Sequence, residues 1–291
     1  MEKRFQIVTD SSCDLPQALA DELGLFVQPL HLSMDGQSYH NYLDGRQIGF
    51  EAFYQALRDG SVAETSAPNP DEFMQTMKPA LEAGLDVLLI GFSSGLSTTY
   101  QSACIAAAEL REQYPARKIV TVDSLCASLG QGLFVYLAAQ KQRGGATLEE
   151  TETYLLELRA HLCHWFTVND LMHLKRGGRI SATSAVVGTM LQIKPVMHMD
   201  ARGHLAPVAK VKGHKAALRA LAQKVLDTAI DLPEQTIFIC HGDCVADAEF
   251  VAACIREKSD FRNCIINYVG PTIGAHTGPG VVSVFFIGTE R

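Results

Sequence analysis

The chain has 291 residues, 47% of them hydrophobic and 20% charged, with a formal net charge of -7. That is enough apolar material for one large core or two smaller ones. The acidic balance argues against a general affinity for nucleic acid and leaves at most transient contact with a membrane surface.

No apolar stretch approaches the ~20 residues of a membrane-spanning helix. The opening MEKRFQIVTDSS has no signal-peptide core and reads as a first strand, so the expected compartment is the cytoplasm. Eight cysteines are present and none forms a C-x-x-C pair. In a core-rich chain of this size they read as reduced, packed thiols. Neither Cys240, His241 and Cys244 nor His161, Cys163 and His164 has paired metal-ligand spacing. Packing is the simpler account of both groups, and neither a metal nor a cofactor is expected.

In chain order, FQIVTD is a strand and LPQALADELG a helix opened by Pro16 and closed by Gly24. LFVQPLHLSMDGQSYH is extended chain turning at Asp35 and Gly36. IGFEAFYQALRDG has helical spacing. Asn69, with Pro70 and Glu72 after it, carries the signature of a capping box and opens a helix with Phe73, Met77, Ala80 and Leu81 on its buried stripe. Strand DVLLIGF, a helix ended by Pro115, strand KIVTVDS and helix ASLGQGLFVYLAAQKQRGG follow, and Thr147 opens another helix in T-L-E-E. This alternation predicts a largely parallel sheet flanked by helices.

From HWFTVND onward the pattern changes. KPVMHMD and HLAPVAKVK read as an antiparallel hairpin around residues 201–203. An amphipathic helix and the strands IFICHGD, CIINYVG and VVSVFFIG complete a second α/β unit with a mixed sheet, while PTIGAHTGPG reads as a loop feeding the last strand. The expected fold is therefore two α/β domains, residues 1–163 and 164–291.

Ligands of open parallel sheets bind at the carboxyl ends of strands. Here those ends read TDSSCD, ETSAPN, GFSSGLSTT, VDSLCAS and CHGD, crowded with small hydroxyls and lacking any dinucleotide or P-loop pattern. GFSSG also matches the G-x-S-x-G nucleophile elbow, which would make Ser93 the attacking residue of a serine hydrolase or acyltransferase, with Asp243 and His276 in triad order. Against that, no HGGG-type oxyanion segment precedes Ser93. The cluster of hydroxyls at a helix start suits a carboxylate or phosphate better than a single activated oxygen. The many glycines around His276 allow close backbone approach. Arg176 and Arg179 in LKRGGRIS are either solvated helix-end charges or a positive rim. Candidate apolar lining comprises Met190, Leu191, Ile193, Phe285 and Phe286.

IVTDSSCDLP, ETSAPNPDEF, GFSSGLSTTYQSA, VDSLCASLGQG, LKRGGRISA, IKPVMHMD, CHGD and VGPTIGAHTGPG, in this order along nearly the whole chain, resemble the segments of the DegV family of bacterial fatty-acid-binding proteins. The resemblance implies two α/β domains holding a long-chain fatty acid. Its carboxylate would be bound by Thr65, Ser66, Ser93, Ser94 and His276. It further implies a non-catalytic subunit that presents the acid to a separate ATP-dependent fatty acid kinase for acyl-phosphate formation and phospholipid synthesis, with Arg176 on the kinase-facing side. A lipid-binding regulator without a kinase is the other reading of the same resemblance. Cys13 and Thr98 depart from the family pattern, the latter where glycine is common, which bears on the backbone path of the double-serine loop.

Overall fold

The computed structural model describes residues 5–180, 193–289 and 291. Among them the first seven strands are β1 (Phe5–Asp10), β2 (Phe26–Gln28), β3 (Leu30–Met34), β4 (Gln37–Asn41), β5 (Ala63–Ser66), β6 (Asp86–Gly91) and β7 (Ile119–Asp123). They divide between two sheets. β2-β1-β6-β7 is a fully parallel four-stranded sheet, and β4-β3-β5 is a small antiparallel one. Every residue of β1 is buried, as in a parallel strand covered on both faces, and its polar Gln6 and Thr9 hydrogen-bond to the Gly24 and Ile90 carbonyls. The turn from β3 to β4 carries positive φ at both Asp35 and Gly36, the backbone sense that matches strand twist in a two-residue hairpin.

The remaining strands are β8 (Leu162–Thr167), β9 (Ile193–Met199), β10 (Leu205–Lys212), β11 (Thr236–His241), β12 (Asn263–Tyr268) and β13 (Val282–Ile287). They form one mixed sheet in the order β10-β9-β8-β13-β11-β12, in which β11 and β12 pair in parallel and every other pair is antiparallel. Period-2 alternation sorts its two faces. Cys163, Trp165, Val284 and Phe286 pack outward against the helices His214–Thr228 and Val245–Arg256, while Leu162, Phe166, Phe238 and Phe285 face the other half of the chain.

Helix Leu129–Arg143 lies between the two large sheets and touches β1, β6, β8, β11 and β13. Its first seven residues are all buried, which explains an apolar run with little amphipathic asymmetry. One core, from Phe5 through Phe134 to Phe285, thus runs through both halves. Helices Pro70–Glu82 and Thr99–Gln113 cover the outer face of the parallel sheet. Both predicted capping boxes form, Asn69 with Glu72 and Thr147 with Glu150.

The reading of PTIGAHTGPG as a loop is corrected. Pro271–Thr277 is a short helix with Pro271 at its first position. Glycines at its start, middle and end hide any apolar period from the sequence.

Candidate functional site

The carboxyl ends of β5, β6 and β7 and residues of the mixed sheet line a cavity of about 800 Å³, within the range typical of small-molecule sites. Leu30, Phe92, Leu96, Phe166, Ile273 and Val281 supply apolar wall. Polar side chains are interspersed with this wall: Thr65, Ser66, Ser94, Arg179 and His276 lie in it together with the hydroxyls of Ser97, Thr98, Ser128, Thr272, Thr277 and Ser283, the amide of Gln101 and the ring of His164.

Thr65 stands on β5, paired with the buried Leu32 of β3. Its hydroxyl shares a 2.8 Å hydrogen bond with Nε2 of His276, which lies in the last turn of helix Pro271–Thr277. Burial, and after it the charge of Arg179, push the His276 pKa down to about 4, so the ring is neutral at pH 7. Its Nδ1 is buried without a partner among the described residues. A Cβ on Gly177 would come within 2.1 Å of that atom. An orphaned lone pair costs less than an orphaned N–H. The ring proton therefore belongs on Nε2, which donates to Thr65 Oγ1. The Thr65 hydroxyl proton is then free to point at a ligand.

The double-serine loop splits its roles. Ser94 lines the cavity, and its backbone N–H donates to Asp123 Oδ1 at 3.3 Å. Ser93 is fully buried and not part of the lining. Its hydroxyl donates to the Gly203 carbonyl at 2.8 Å and accepts from Gly95 N–H at 3.2 Å. Ser97 Oγ accepts from Thr99 N–H at 3.2 Å, at the first residue of the following helix, whose cap residue Thr98 makes no side-chain capping bond. Thr98 has φ -77 and ψ 0, a path that needs no glycine, so the threonine expected to disturb this loop sits there without strain.

The residues of the hydrolase alternative are not brought together. Ser93 is absent from the residues with positive φ, His276 pairs with Thr65, and Asp243 pairs with Arg58 at the surface. The CHGD loop stays outside the cavity. There Cys244 donates to the Val281 carbonyl and His241 packs against Tyr268.

Arg176 ends helix Leu171–Arg176, is exposed and does not reach the cavity. Arg179 does. Past the helix Gly178 takes positive φ and Arg179 N–H donates to the Leu174 carbonyl at 2.9 Å, a Schellman-type reversal that folds the chain back. Its guanidinium donates to the Gly177 carbonyl. The Gly-Gly pair after LKR was the signal that Arg179, rather than Arg176, turns inward. Of the candidate lining residues, Phe285 is in the shared core, Phe286 packs on the opposite face, Ile193 is outside the lining, and Met190 and Leu191 lie outside the described residues.

Parallel and mixed sheets enclosing a cavity with a cluster of hydroxyls and a neutral imidazole have the architecture of a small-molecule site. The DegV family model, described as "Uncharacterised protein, DegV family", matches residues 4–289, and the chain belongs to that family. A DegV domain-containing protein of Clostridium perfringens is 43% identical over 289 residues, covering 99% of both chains. Among solved structures, a DegV family protein from Thermus thermophilus, described for its fatty acid binding, superposes with TM-score 0.86 at 32% identity over 97% of this chain and 98% of its own. A DegV lipid binding protein from Thermotoga maritima gives TM-score 0.85 at 29% identity over 99% of each chain. No helix among the described residues is long and apolar enough to cross a membrane.

Proposed function

We propose that this protein is a cytoplasmic carrier of a long-chain fatty acid. The acyl tail lies in the cavity, and the carboxylate accepts hydrogen bonds from Thr65 and Ser94, with His276 behind Thr65 and the charge of Arg179 nearby. The observation that carries this reading is the Thr65–His276 hydrogen bond at the wall of an 800 Å³ apolar cavity. The fatty acid binding and lipid binding of the Thermus and Thermotoga relatives support it. Residues 1–163 supply the hydroxyl-bearing loops, and residues 164–291 supply His276, Arg179 and much of the apolar wall. Ser66 stands at the exposed mouth. Ser93 acts at one remove, holding the loop that presents Ser94.

The energetics fit the role. Burying an acyl chain gains about 0.8 kcal/mol per CH₂, on the order of 10 kcal/mol gross for a long chain. Association entropy and carboxylate desolvation consume part of that. Neutral donors return hydrogen bonds to the carboxylate without locking it in a bidentate arginine pair, so its oxygen stays nucleophilic.

That suits a second role, presentation to a separate ATP-dependent kinase. There the carboxylate oxygen would attack the γ-phosphorus, forming acyl phosphate and releasing ADP, for phospholipid synthesis. In this reading the protein is the non-catalytic subunit, and the exposed Arg176 faces the kinase. The test is incubation of acid-loaded protein with its cognate kinase and ATP, trapping acyl phosphate as the hydroxamate. Product that depends on both proteins is expected. Bound acid that no such kinase converts would reduce the role to lipid binding alone.

A further inference from the structure

Outside the cavity, the solvent-facing side of the three-stranded sheet gathers ligands of a different kind. The register sets His31 of β3 directly opposite His40 of β4, and their rings meet edge to face at 5.0 Å. Glu72, in the first turn of helix Pro70–Glu82, places Oε1 at 2.7 Å from His31 Nε2. Among the described residues this is the group of three potential metal ligands whose donor atoms all lie within 4.8 Å of one another.

We propose that His31, His40 and Glu72 bind a divalent transition-metal ion of the zinc class. Two imidazoles and a carboxylate are a ligand set zinc accepts, and three protein ligands leave a fourth position for water. The proposal is independent of the fatty-acid reading.

A simple ion pair accounts for His31 and Glu72 but not for His40. No side-chain hydrogen bond of His40 is found among the described residues, and its ring turns toward His31. The carboxylate is also held from behind, because Glu72 Oε2 accepts the Asn69 N–H at 2.9 Å. Such outer support orients a metal ligand. The three side chains are half-buried or exposed, so they have room to close to the ~3.3 Å ligand separations of a tetrahedron with bonds of about 2.0–2.1 Å.

The position gives the ion a structural consequence. Its ligands come from two strands and from the start of a helix. The end of β5 and the segment that leads from it to that helix carry Thr65, Ser66 and Ala67 of the cavity wall, and Ser66 is the cross-strand partner of His31. A bound ion would therefore clamp the elements that frame the cavity mouth.

The test is calorimetric titration of the full chain with zinc chloride, alongside His40→Ala and Glu72→Gln, with cobalt(II) absorption as a second readout. Glutamine preserves the capping box, and His40 is exposed, so both variants should unfold without metal at the wild-type temperature. One ion per chain is expected, with affinity at least about tenfold lower in each variant. Cobalt should give ligand-field bands without thiolate charge-transfer absorption. No saturable binding, binding unchanged in His40→Ala, or thiolate bands from the cysteines would overturn the proposal.

Discussion

Thr65 and His276 work as one unit, and their test is affinity. Thr65→Val keeps the shape of a half-buried strand residue and removes the hydroxyl. A hydrogen bond to a charged group contributes about 1.5–3 kcal/mol, so fatty-acid affinity should fall about ten- to a hundredfold in a fluorescence titration, with some loss of stability because the His276 Nε2–H is left without its acceptor. Ser93→Ala should act chiefly on stability. It strips the donor from the Gly203 carbonyl, at a stability cost of about 1–3 kcal/mol. Denaturant unfolding should show that loss, with a smaller change in affinity than Thr65→Val. The sequence signalled a hydroxyl cradle at ETSAPN and GFSSG. It could not signal which serine of the pair faces the cavity, because that depends on where Gly203 arrives from residues more than a hundred positions away.

At the scale of elements, the helix Leu171–Arg176 and its Gly-Gly exit position both sides of the site. Gly177 leaves room for the His276 ring, since a Cβ there would collide with Nδ1. Gly177→Ala should therefore displace the imidazole and lower fatty-acid affinity by about tenfold or more, comparable with loss of the Thr65 hydroxyl. Arg176→Ala, one residue earlier and exposed, should leave affinity unchanged and slow acyl-phosphate formation by the kinase. Equal affinity loss in both variants would show a general disturbance of the helix end rather than a specific contact with His276. Elements built on local chemistry were legible in the sequence: the caps at Asn69 and Thr147, the turn at Asp35 and Gly36, and the helix stop at Pro115. Helix Pro271–Thr277 was not, because Gly270, Gly274 and Gly278 replace the side chains from which a period is read. Nor was the separation of β3, β4 and β5 into their own sheet, which is set by long-range pairing.

Across the whole molecule, the two halves meet at a buried polar junction. The Ser128 hydroxyl donates to Asp14 Oδ2, and Asn267 Nδ2 donates to the Asp14 carbonyl at 2.8 Å. Burial raises the Asp14 pKa to about 8, while burial lowers His276 to about 4 and His164 to about 3. The signs oppose. Between pH 8 and an unfolded-state value of about 3.9, native Asp14 holds a proton that the unfolded chain has lost, so its contribution falls as pH rises. The two histidines stay neutral in the native state while the unfolded chain protonates below about 6.5, so theirs falls as pH drops. Stability should accordingly decline between about pH 6.5 and 8, and Asp14→Asn should shallow that slope by about 1.4 kcal/mol per pH unit. An unchanged slope in denaturant melts would mean that Asp14 is ionised in the folded protein. The alternation of strands and helices made the α/β class legible, but the meeting of Asp14, Ser128 and Asn267 needed the tertiary fold.

The claim on which the rest depends is that the cavity holds a long-chain fatty acid without a covalent bond. Native mass spectrometry of the purified protein, followed by the same sample denatured, tests it most directly. The prediction is an adduct of fatty-acid mass in the native spectrum that disappears on denaturation. A mass equal to the bare chain in both spectra, with no binding when fatty acid is added, would contradict it.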